Sequence, residues 1–388
     1  MRIAVYGGSF DPPHLGHVEA AKSAARSLAP DRFLIIPAGT PPHKALAQDS
    51  PTPEQRMELC RLAFSEVPGA ELSDMELRRE GKSYTYDTVR QLRTEYPDAE
   101  LCLVIGTDML ASFEEWYHFR YLLEECTLSV LSRAEEDGGL LRGKAEGLRR
   151  EYGAKIILLA HEPLEASSEK IRERLPLRAG EDLLSDAVYS EIIRRRYFGA
   201  KPELTWLRGK VMDYLDEYRV AHVAGCENEA VGLAQHWGED PELAAEAAIL
   251  HDITKRCSLE QQLQYCEKYG IIIDNSEMRN KSLFHARTGA ALARDLFGID
   301  DTVYEAIRWH TTGKPDMTRF EKILYLADYI EPTRDFEGIG ELRALAYEDL
   351  DAAMALGLKM TIEEVRRAGR AVFVDTLDAY DWYNKKEK

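Results

Sequence analysis

The chain has 388 residues, of which 45% are hydrophobic and 30% are charged, and its formal net charge is −18. This length exceeds what a single hydrophobic core usually covers, so we expect two domains. The negative charge argues against binding through bulk electrostatic attraction to phosphate backbones, so we expect no nucleic-acid partner.

The cysteines and the N-terminus indicate where the protein works. None of the six cysteines shows the C-x-x-C spacing, so we interpret them as reduced thiols of a cytoplasmic protein. The first residues lack a basic region followed by a long apolar stretch, which argues against a signal peptide. No run of about 18 apolar residues occurs, so we expect no membrane partner. The sequence does not determine the oligomeric state, and a homo-oligomer is one of the alternatives.

The first half of the chain alternates between strand-like and helical patterns. Strands are predicted at Ile3–Tyr6, Phe33–Ile36, Leu101–Ile105, Leu128–Leu131 and Lys155–Leu159. This alternation predicts an α/β domain, a Rossmann-like parallel sheet with helices on both faces. Ligands of such sheets bind at the carboxyl ends of the strands, where the most suggestive motifs of this chain stand.

The turn after the first strand is the strongest of these motifs. Gly7 and Gly8 let the backbone approach a ligand closely, and a helical pattern follows from about Leu15. A glycine turn before a helix N-terminus favours phosphate, because backbone N–H groups and the helix dipole both attract an anion. His14 and His17 add imidazole donors that can stabilise charge on a transferring phosphoryl group.

A second loop and a late helix offer further phosphate-binding groups. Pro41 and Pro42 stiffen a loop that presents Lys44, a point charge suited to phosphate. Ser167 and Ser168 open a helix in which Arg172 stands one turn on, an arrangement that suits a triphosphate.

The second half has a different character. Gly199–Pro202 is the best linker candidate, and we predict a first domain over 1–199 and a second over 203–388. Helical periodicity dominates beyond the linker, so the second domain is predicted to be all-α. Two of its predicted helices are long, Leu207–Val223 and Ala344–Arg366.

Six residues of the helical half form a set of candidate metal ligands: His222, His251, Asp252, His285, His310 and Asp328. They stand on otherwise apolar helical patterns, where a lone buried carboxylate costs several kcal/mol unless it is paired or metal-bound. One such histidine alone would indicate a core residue, but the whole set predicts a metal site. Mixed imidazole and carboxylate ligation suits iron, manganese or cobalt better than a closed structural zinc site.

The run Gly-Gly-Ser-Phe-Asp-Pro-Pro-His-Leu-Gly-His of the first turn resembles the signature of the nicotinate-nucleotide adenylyltransferases. The Pro-Pro-His-Lys loop and the Ser83–Thr88 segment are similar to family motifs as well. The resemblance covers about residues 1–198. It implies adenylyl transfer from ATP, with Mg²⁺, to nicotinate mononucleotide.

The resemblance also implies roles for individual residues. The catalytic groups would be His14, His17, Lys44 and Arg172. The substrate and ATP contacts would be Gly7, Gly8, Ser9, Phe10, Thr85, Gly106, Asp108, Trp116, Ser167 and Ser168. An alternative keeps this fold but changes the acceptor to phosphopantetheine, against which the Lys44 loop and Trp116 argue.

The order of the metal-ligand residues resembles the HD-domain phosphohydrolases, over about residues 203–388. The segments Arg308–Gly313 and Ala327–Pro332 look like those of the symmetrical bis(5'-nucleosyl)-tetraphosphatases, which split diadenosine tetraphosphate into two ADP. The resemblance implies one or two transition-metal ions, iron first and manganese or cobalt as alternatives. Asp252 would bridge two ions and act in catalysis together with Lys255.

Three other functions stay open for the helical half. It could be a nucleotide monophosphatase, a guanosine polyphosphate hydrolase, or a non-catalytic sensor that binds nucleotide and regulates the first half. Intact ligand positions favour catalysis over the sensor.

Overall fold

The protein is described here by a computed structural model covering residues 1–42, 46–132, 139–162, 164–272 and 283–386. The chain divides into two compact units, Met1–Lys201 and Pro202–Lys388. We call them the sheet unit and the helical unit.

The sheet unit contains a six-stranded sheet in the order β3-β2-β1-β4-β5-β6, and every strand pair is parallel. The strands are β1 (Arg2–Gly8), β2 (Arg32–Pro37), β3 (Ala70–Leu72), β4 (Glu100–Gly106), β5 (Cys126–Ser132) and β6 (Lys155–Ala160). The helices are α1 (Leu15–Leu28), α2 (Pro53–Ala63), α3 (Thr85–Glu95), α4 (Thr107–Ala111), α5 (Phe119–Glu125), α6 (Leu140–Tyr152), α7 (Ser168–Arg174) and α8 (Asp186–Arg195). This is the strand order of doubly wound folds, in which the order of successive strands along the sheet reverses between β1 and β4.

The predicted α/β class is confirmed. All five predicted strands lie within observed ones. The continuous apolar runs of β2, β4 and β5 suit strands that are buried on both faces, whereas β6 is an edge strand with exposed positions. Sequence analysis missed β3, a three-residue edge strand with one exposed position and no long apolar run.

The helical unit consists of helices in the residues that the structure describes. They are α9 (Leu204–Val211), α10 (Glu217–Trp237), α11 (Pro241–Leu250), α12 (Leu259–Tyr269), α13 (Phe284–Phe297), α14 (Asp301–Trp309), α15 (Arg319–Ile330), α16 (Ile339–Glu348), α17 (Leu350–Arg367) and α18 (Val374–Lys386). The predicted all-α class of this half is confirmed.

The sequence predicts two long continuous helices, and this prediction is wrong because each is interrupted in the structure. The predicted helix Leu207–Val223 breaks before α10, where the Asp216 side chain accepts the Arg219 N–H as an N-cap. The predicted helix Ala344–Arg366 breaks at Asp349, whose backbone is extended and whose carboxylate caps α17. Apolar periodicity continued through both breaks, and a capping aspartate interrupts each helix.

No helix in the described ranges combines the length and apolar character needed to cross a bilayer.

Each unit buries apolar side chains of its own, such as Ile3 and Leu128 in the sheet unit and Leu250 and Leu326 in the helical unit. We therefore expect residues 1–199 and 203–388, expressed separately, each to unfold in one cooperative thermal transition. Circular dichroism melting of both fragments checks this. A fragment that aggregates or melts without a transition, while the full chain stays soluble, would contradict independent folding.

Candidate active sites

The first site is a cleft at the carboxyl ends of β1, β2 and β4, at the point where the strand order reverses. Two cavities of about 170 and 330 Å³ lie there, and both are lined by Gly7, Gly8 and Ser9. The glycine turn therefore forms the shared floor of two adjoining compartments.

Predicted site residues line each compartment. Thr85 and Trp116 line the smaller one, with Tyr84 and Tyr117 beside them. Phe10, His17, Gly106 and Asp108 line the larger one. A Cβ at Gly106 would lie 2.7 Å from Asp108 Oδ1, so the glycine lets this exposed carboxylate lie close to the backbone.

His14 and His17 begin α1 as a reciprocal cap. The His17 N–H donates to His14 Nδ1 at 3.3 Å, and the His14 N–H donates to His17 Nδ1 at 3.2 Å. Both Nδ1 atoms are therefore acceptors, so each neutral ring carries its proton on Nε2. Burial lowers the pKa of His14 to about 4 and that of His17 well below its ordinary value. At neutral pH both rings are uncharged hydrogen-bond donors.

Phe10 holds the turn in place. It is buried in the left-handed conformation, φ 46°, and its ring packs edge-on against His17 with centroids 5.1 Å apart. A Cβ at Gly8 would lie 2.9 Å from the same ring. The Phe10 ring thus packs against both Gly8 and His17 and also lines the larger compartment.

Helix α7 is fastened to the loop that follows the glycine turn. Arg172 donates to Asp11 O at 2.5 Å, and Ser168 Oγ donates to Pro12 O at 2.9 Å. Ser167 is the N-cap of α7 and makes no side-chain cap hydrogen bond. Lys44 lies outside the described residues.

The second site lies in the helical unit, where the six candidate metal ligands converge from five segments. His222 is on α10, His285 on α13 and Asp328 on α15. His251 and Asp252 follow α11 directly, and His310 follows α14. Five of the six are buried, and the Asp328 side chain is 18% exposed.

Asp252 lies between two sets of ligand atoms. Its Oδ2 is 3.7 Å from His222 Nε2 and 3.6 Å from His251 Nε2. Its Oδ1 is 3.2 Å from His285 Nε2 and 3.7 Å from His310 Nε2. Asp328 Oδ1 completes the first set, 3.0 Å from His222 Nε2.

Backbone carbonyls orient two of the rings. His251 Nδ1 donates to Ala248 O and His310 Nδ1 to Ile307 O, both at 2.6 Å. A carbonyl oxygen only accepts, so both rings donate through Nδ1–H, and their Nε2 atoms are left to face the cluster as potential ligand atoms. Metal-ligating histidines are held in this way.

Charges inside the cluster shift the ordinary pKa values. Burial lowers the pKa of His251 to about 4 and, with the nearby Lys255, that of His285 to about 3. Burial opposes ionisation of Asp252, but His251 and Lys255 outweigh it and hold its pKa well below the usual range. His251 and His285 are therefore neutral imidazoles and Asp252 is an ionised carboxylate, the protonation states that bind a metal. Burial opposes a charge on His222, but the carboxylates of Asp328 and Glu331 outweigh it and raise the pKa of that histidine.

The arrangement fits divalent metal ions. Two groups, His222 with His251 and Asp328, and His251 with Asp252 and His310, each place their ligand atoms within 4.8 Å of one another. The buried Oδ1 of Asp252 accepts no hydrogen bond. Lys255 Nζ lies 3.5 Å from this buried oxygen but forms no hydrogen bond with it, so a bound metal cation would satisfy it.

Sequence analysis missed two residues of this site. Arg219 donates to Asp252 Oδ2 at 2.8 Å, and the fully buried Glu331 lies 3.1 Å from His222 Nδ1. A Cβ at Gly225 would lie 2.5 Å from Glu331 Oε2, so a glycine makes room for this carboxylate. Helical spacing could have found Arg219, which stands three residues before His222 on α10, but Glu331 lies just beyond the end of α15, where this spacing gives no signal.

We expect Glu331→Gln to weaken metal binding by about 10- to 100-fold, because a carboxylate partner orients a ligand histidine and raises its basicity. Equilibrium dialysis against a divalent ion measures this affinity. Glu337→Gln, an exposed acid beyond the same helix, is the matched control. Unchanged affinity in Glu331→Gln would remove Glu331 from the support of His222.

Comparisons with known proteins agree with this division. Residues 5–174 match the Cytidylyltransferase-like family, and residues 219–333 match the HD domain family. A protein of Oceanobacillus iheyensis, "Probable nicotinate-nucleotide adenylyltransferase", is 35% identical over 51% of this chain and 96% of its own length. A Bacillus subtilis protein, "Bis(5'-nucleosyl)-tetraphosphatase, symmetrical", is 38% identical over 44% of this chain and 92% of its own length.

A crystal structure from Clostridium acetobutylicum, described as a "predicted HD superfamily hydrolase involved in NAD metabolism", is 37% identical to this chain. It covers 47% of this chain and 97% of its own, with a TM-score of 0.46.

These matches define a nucleotidyltransferase joined to an HD-domain hydrolase. The chain belongs to the nicotinate-nucleotide adenylyltransferase family in its sheet unit and to the symmetrical bis(5'-nucleosyl)-tetraphosphatase family in its helical unit.

Proposed function

We propose that the protein is a bifunctional enzyme. The sheet unit transfers the adenylyl group of ATP to nicotinate mononucleotide, and nicotinate adenine dinucleotide and pyrophosphate are the products. The helical unit hydrolyses diadenosine tetraphosphate symmetrically into two ADP. The observation that carries the proposal is that one chain holds both the two-compartment cleft and the Asp252-centred ligand cluster.

In the sheet unit, the acceptor occupies the compartment lined by Trp116 and Thr85, and ATP occupies the one lined by His17 and Asp108. The acceptor phosphate and the α-phosphorus then meet above Gly7–Ser9. The acceptor phosphate oxygen forms a bond to the α-phosphorus while the bond to pyrophosphate breaks. The enzyme contributes positioning and charge stabilisation, so no covalent intermediate is needed.

The Nε2–H donors of His14 and His17 stabilise negative charge on the transferring group. Lys44 and Arg172 neutralise the triphosphate, and Mg²⁺ bound with ATP would neutralise charge on the pyrophosphate leaving group. Ser167 and Ser168 bind phosphate oxygens next to Arg172.

In the helical unit, His222, His251, His285, His310, Asp252 and Asp328 hold one or two transition-metal ions. Iron is the first choice for the mixed imidazole and carboxylate set, with manganese or cobalt as alternatives. A bound ion polarises a phosphoryl oxygen and lowers the pKa of water.

Partly exposed cations surround the buried ligands of the helical unit. The side chains of Arg219, Lys255 and Arg334 are 22, 27 and 34% exposed, whereas that of Asp252 is 1% exposed. Each lies within 3.5 Å of a cluster carboxylate, at 2.8 Å for Arg219, 3.5 Å for Lys255 and 3.2 Å for Arg334. Positive groups between solvent and the ligand cluster attract an anionic polyphosphate.

We also propose a cytoplasmic location. All six cysteines are free thiols, and Cys60, Cys102, Cys126, Cys226 and Cys266 are buried. Reduced, buried thiols are typical of a reducing compartment.

Two assays on the full chain test the proposal. Pyrophosphate release is measured with MgATP and, in parallel, nicotinate mononucleotide, nicotinamide mononucleotide or phosphopantetheine. Faster turnover with phosphopantetheine would overturn the acceptor assignment. Chromatography of diadenosine tetraphosphate digests then identifies the products, and AMP plus ATP in place of two ADP would overturn symmetrical cleavage.

A further inference from the structure

A fully buried arginine connects two loops of the acceptor compartment. Arg56 lies on α2 with no exposed surface, and its guanidinium donates to three backbone carbonyls. The acceptors are Ser9 O at 2.7 Å, Ala38 O at 2.7 Å and Gly39 O at 2.9 Å. Ser9 follows β1 and Ala38 follows β2, so one side chain joins the ends of two adjacent strands.

A buried serine holds the same peptide groups from the other side. Ser83 Oγ accepts the N–H groups of Gly39, at 3.0 Å, and Thr40, at 3.3 Å. The peptides 38–39 and 39–40 therefore each have their carbonyl on Arg56 and their N–H on Ser83. The Ser83 N–H also donates to Thr40 O at 2.8 Å, which fixes the segment before α3 to the same loop.

The loop is packed tightly at Gly39. A Cβ at Gly39 would lie 2.6 Å from Glu76 O and 3.3 Å from Ser83 Oγ. Among the residues that the structure describes, no carboxylate lies within salt-bridge distance of the Arg56 guanidinium, so its burial is costly and the three carbonyls offset only part of that cost. An apolar residue here would leave the three carbonyls without these donors, so the contacts of Arg56 hold this part of the site in its conformation.

Ser9, Ala38 and Ser83 all line the acceptor compartment. We propose that Arg56 and Ser83 are positioning residues that together set the shape of this compartment and thereby the affinity for the mononucleotide acceptor. Neither needs to contact the reacting phosphates. This inference rests on the proposed function of the sheet unit.

Steady-state kinetics of Arg56→Lys, Ser83→Ala and the double variant test the proposal. A lysine keeps the charge but cannot reach three carbonyls with fixed fork geometry. We expect each single variant to raise KM for nicotinate mononucleotide at least about tenfold, since small displacements of a site are costly. KM for ATP should stay within about twofold in Ser83→Ala, because its hydroxyl holds Gly39 and Thr40 and not the floor shared with the ATP compartment. Arg61→Lys, on the exposed side of α2 and paired with Glu58, is the matched control and keeps both constants.

The double variant tests whether Arg56 and Ser83 act together on the same peptides or shape the compartment independently. Since both residues hold the same two peptides, the combined rise in KM should be smaller than the product of the single effects. Full multiplicativity would overturn the joint action. A loss of kcat with both KM values unchanged would show general destabilisation and overturn the positioning role.

Ser83→Ala removes one hydroxyl and decides the matter even if Arg56→Lys does not fold. If the wild-type protein consumes nicotinate mononucleotide but Ser83→Ala leaves KM for this acceptor unchanged, only the positioning role of Arg56 and Ser83 is overturned. Wild-type protein that does not consume this acceptor overturns the proposed function instead.

Discussion

Asp252→Asn is expected to abolish diadenosine tetraphosphate hydrolysis and to lower bound metal at the same time. Its two oxygens face different sets of imidazoles, at 3.6 and 3.7 Å on one side and 3.2 and 3.7 Å on the other. Loss of an outer partner alone weakens metal binding about 10- to 100-fold, so loss of this central ligand should cost at least about a hundredfold. Metal analysis of the purified variant and a product assay measure both effects.

The control for this change is Asp301→Asn, because the Asp301 side chain is 93% exposed and begins the helix that precedes His310. It should keep its metal and its activity. Metal binding adds to folding stability, so Asp252→Asn should also melt at a lower temperature than the control when both are prepared with the ion. Full hydrolysis by metal-free Asp252→Asn would show that neither Asp252 nor a bound metal is needed for this activity.

The second large effect is expected at His17. His17→Ala removes an Nε2–H donor from the larger compartment of the cleft, and should reduce adenylyl transfer by at least about tenfold and up to about a hundredfold. It also removes half of the reciprocal cap of α1, which costs about 1 kcal/mol of stability. That loss lowers Tm by only about 2–4 °C.

Pyrophosphate release and thermal melting separate these two consequences. Lys22→Ala, on the surface of the same helix and paired with Glu19, is the control for helix stability. If His17→Ala turned over at the wild-type rate, His17 would belong to the helix cap alone.

Residue type and spacing predicted much of both units. Apolar runs predict the buried parallel strands, and His251-Asp252 at the end of an apolar helix predicts a ligand cluster before any geometry is known. Such features are visible because each departs locally from the pattern around it.

The supporting residues could not be predicted in the same way. Arg56 and Glu331 are charged, and charged side chains are expected at the surface unless a partner is known. Their partners are remote in sequence, 47 residues away for Ser9 and 109 for His222. Only the folded chain brings these groups together, so sequence analysis found the groups that face the ligands and missed those that hold them.

The division at Lys201–Pro202 places two enzyme families on one polypeptide. Translation of this chain therefore produces both units in equal copy number, and transcription cannot change one dose without the other. Any adjustment of one activity relative to the other therefore acts after translation, for example through substrate supply, metal loading or inhibition.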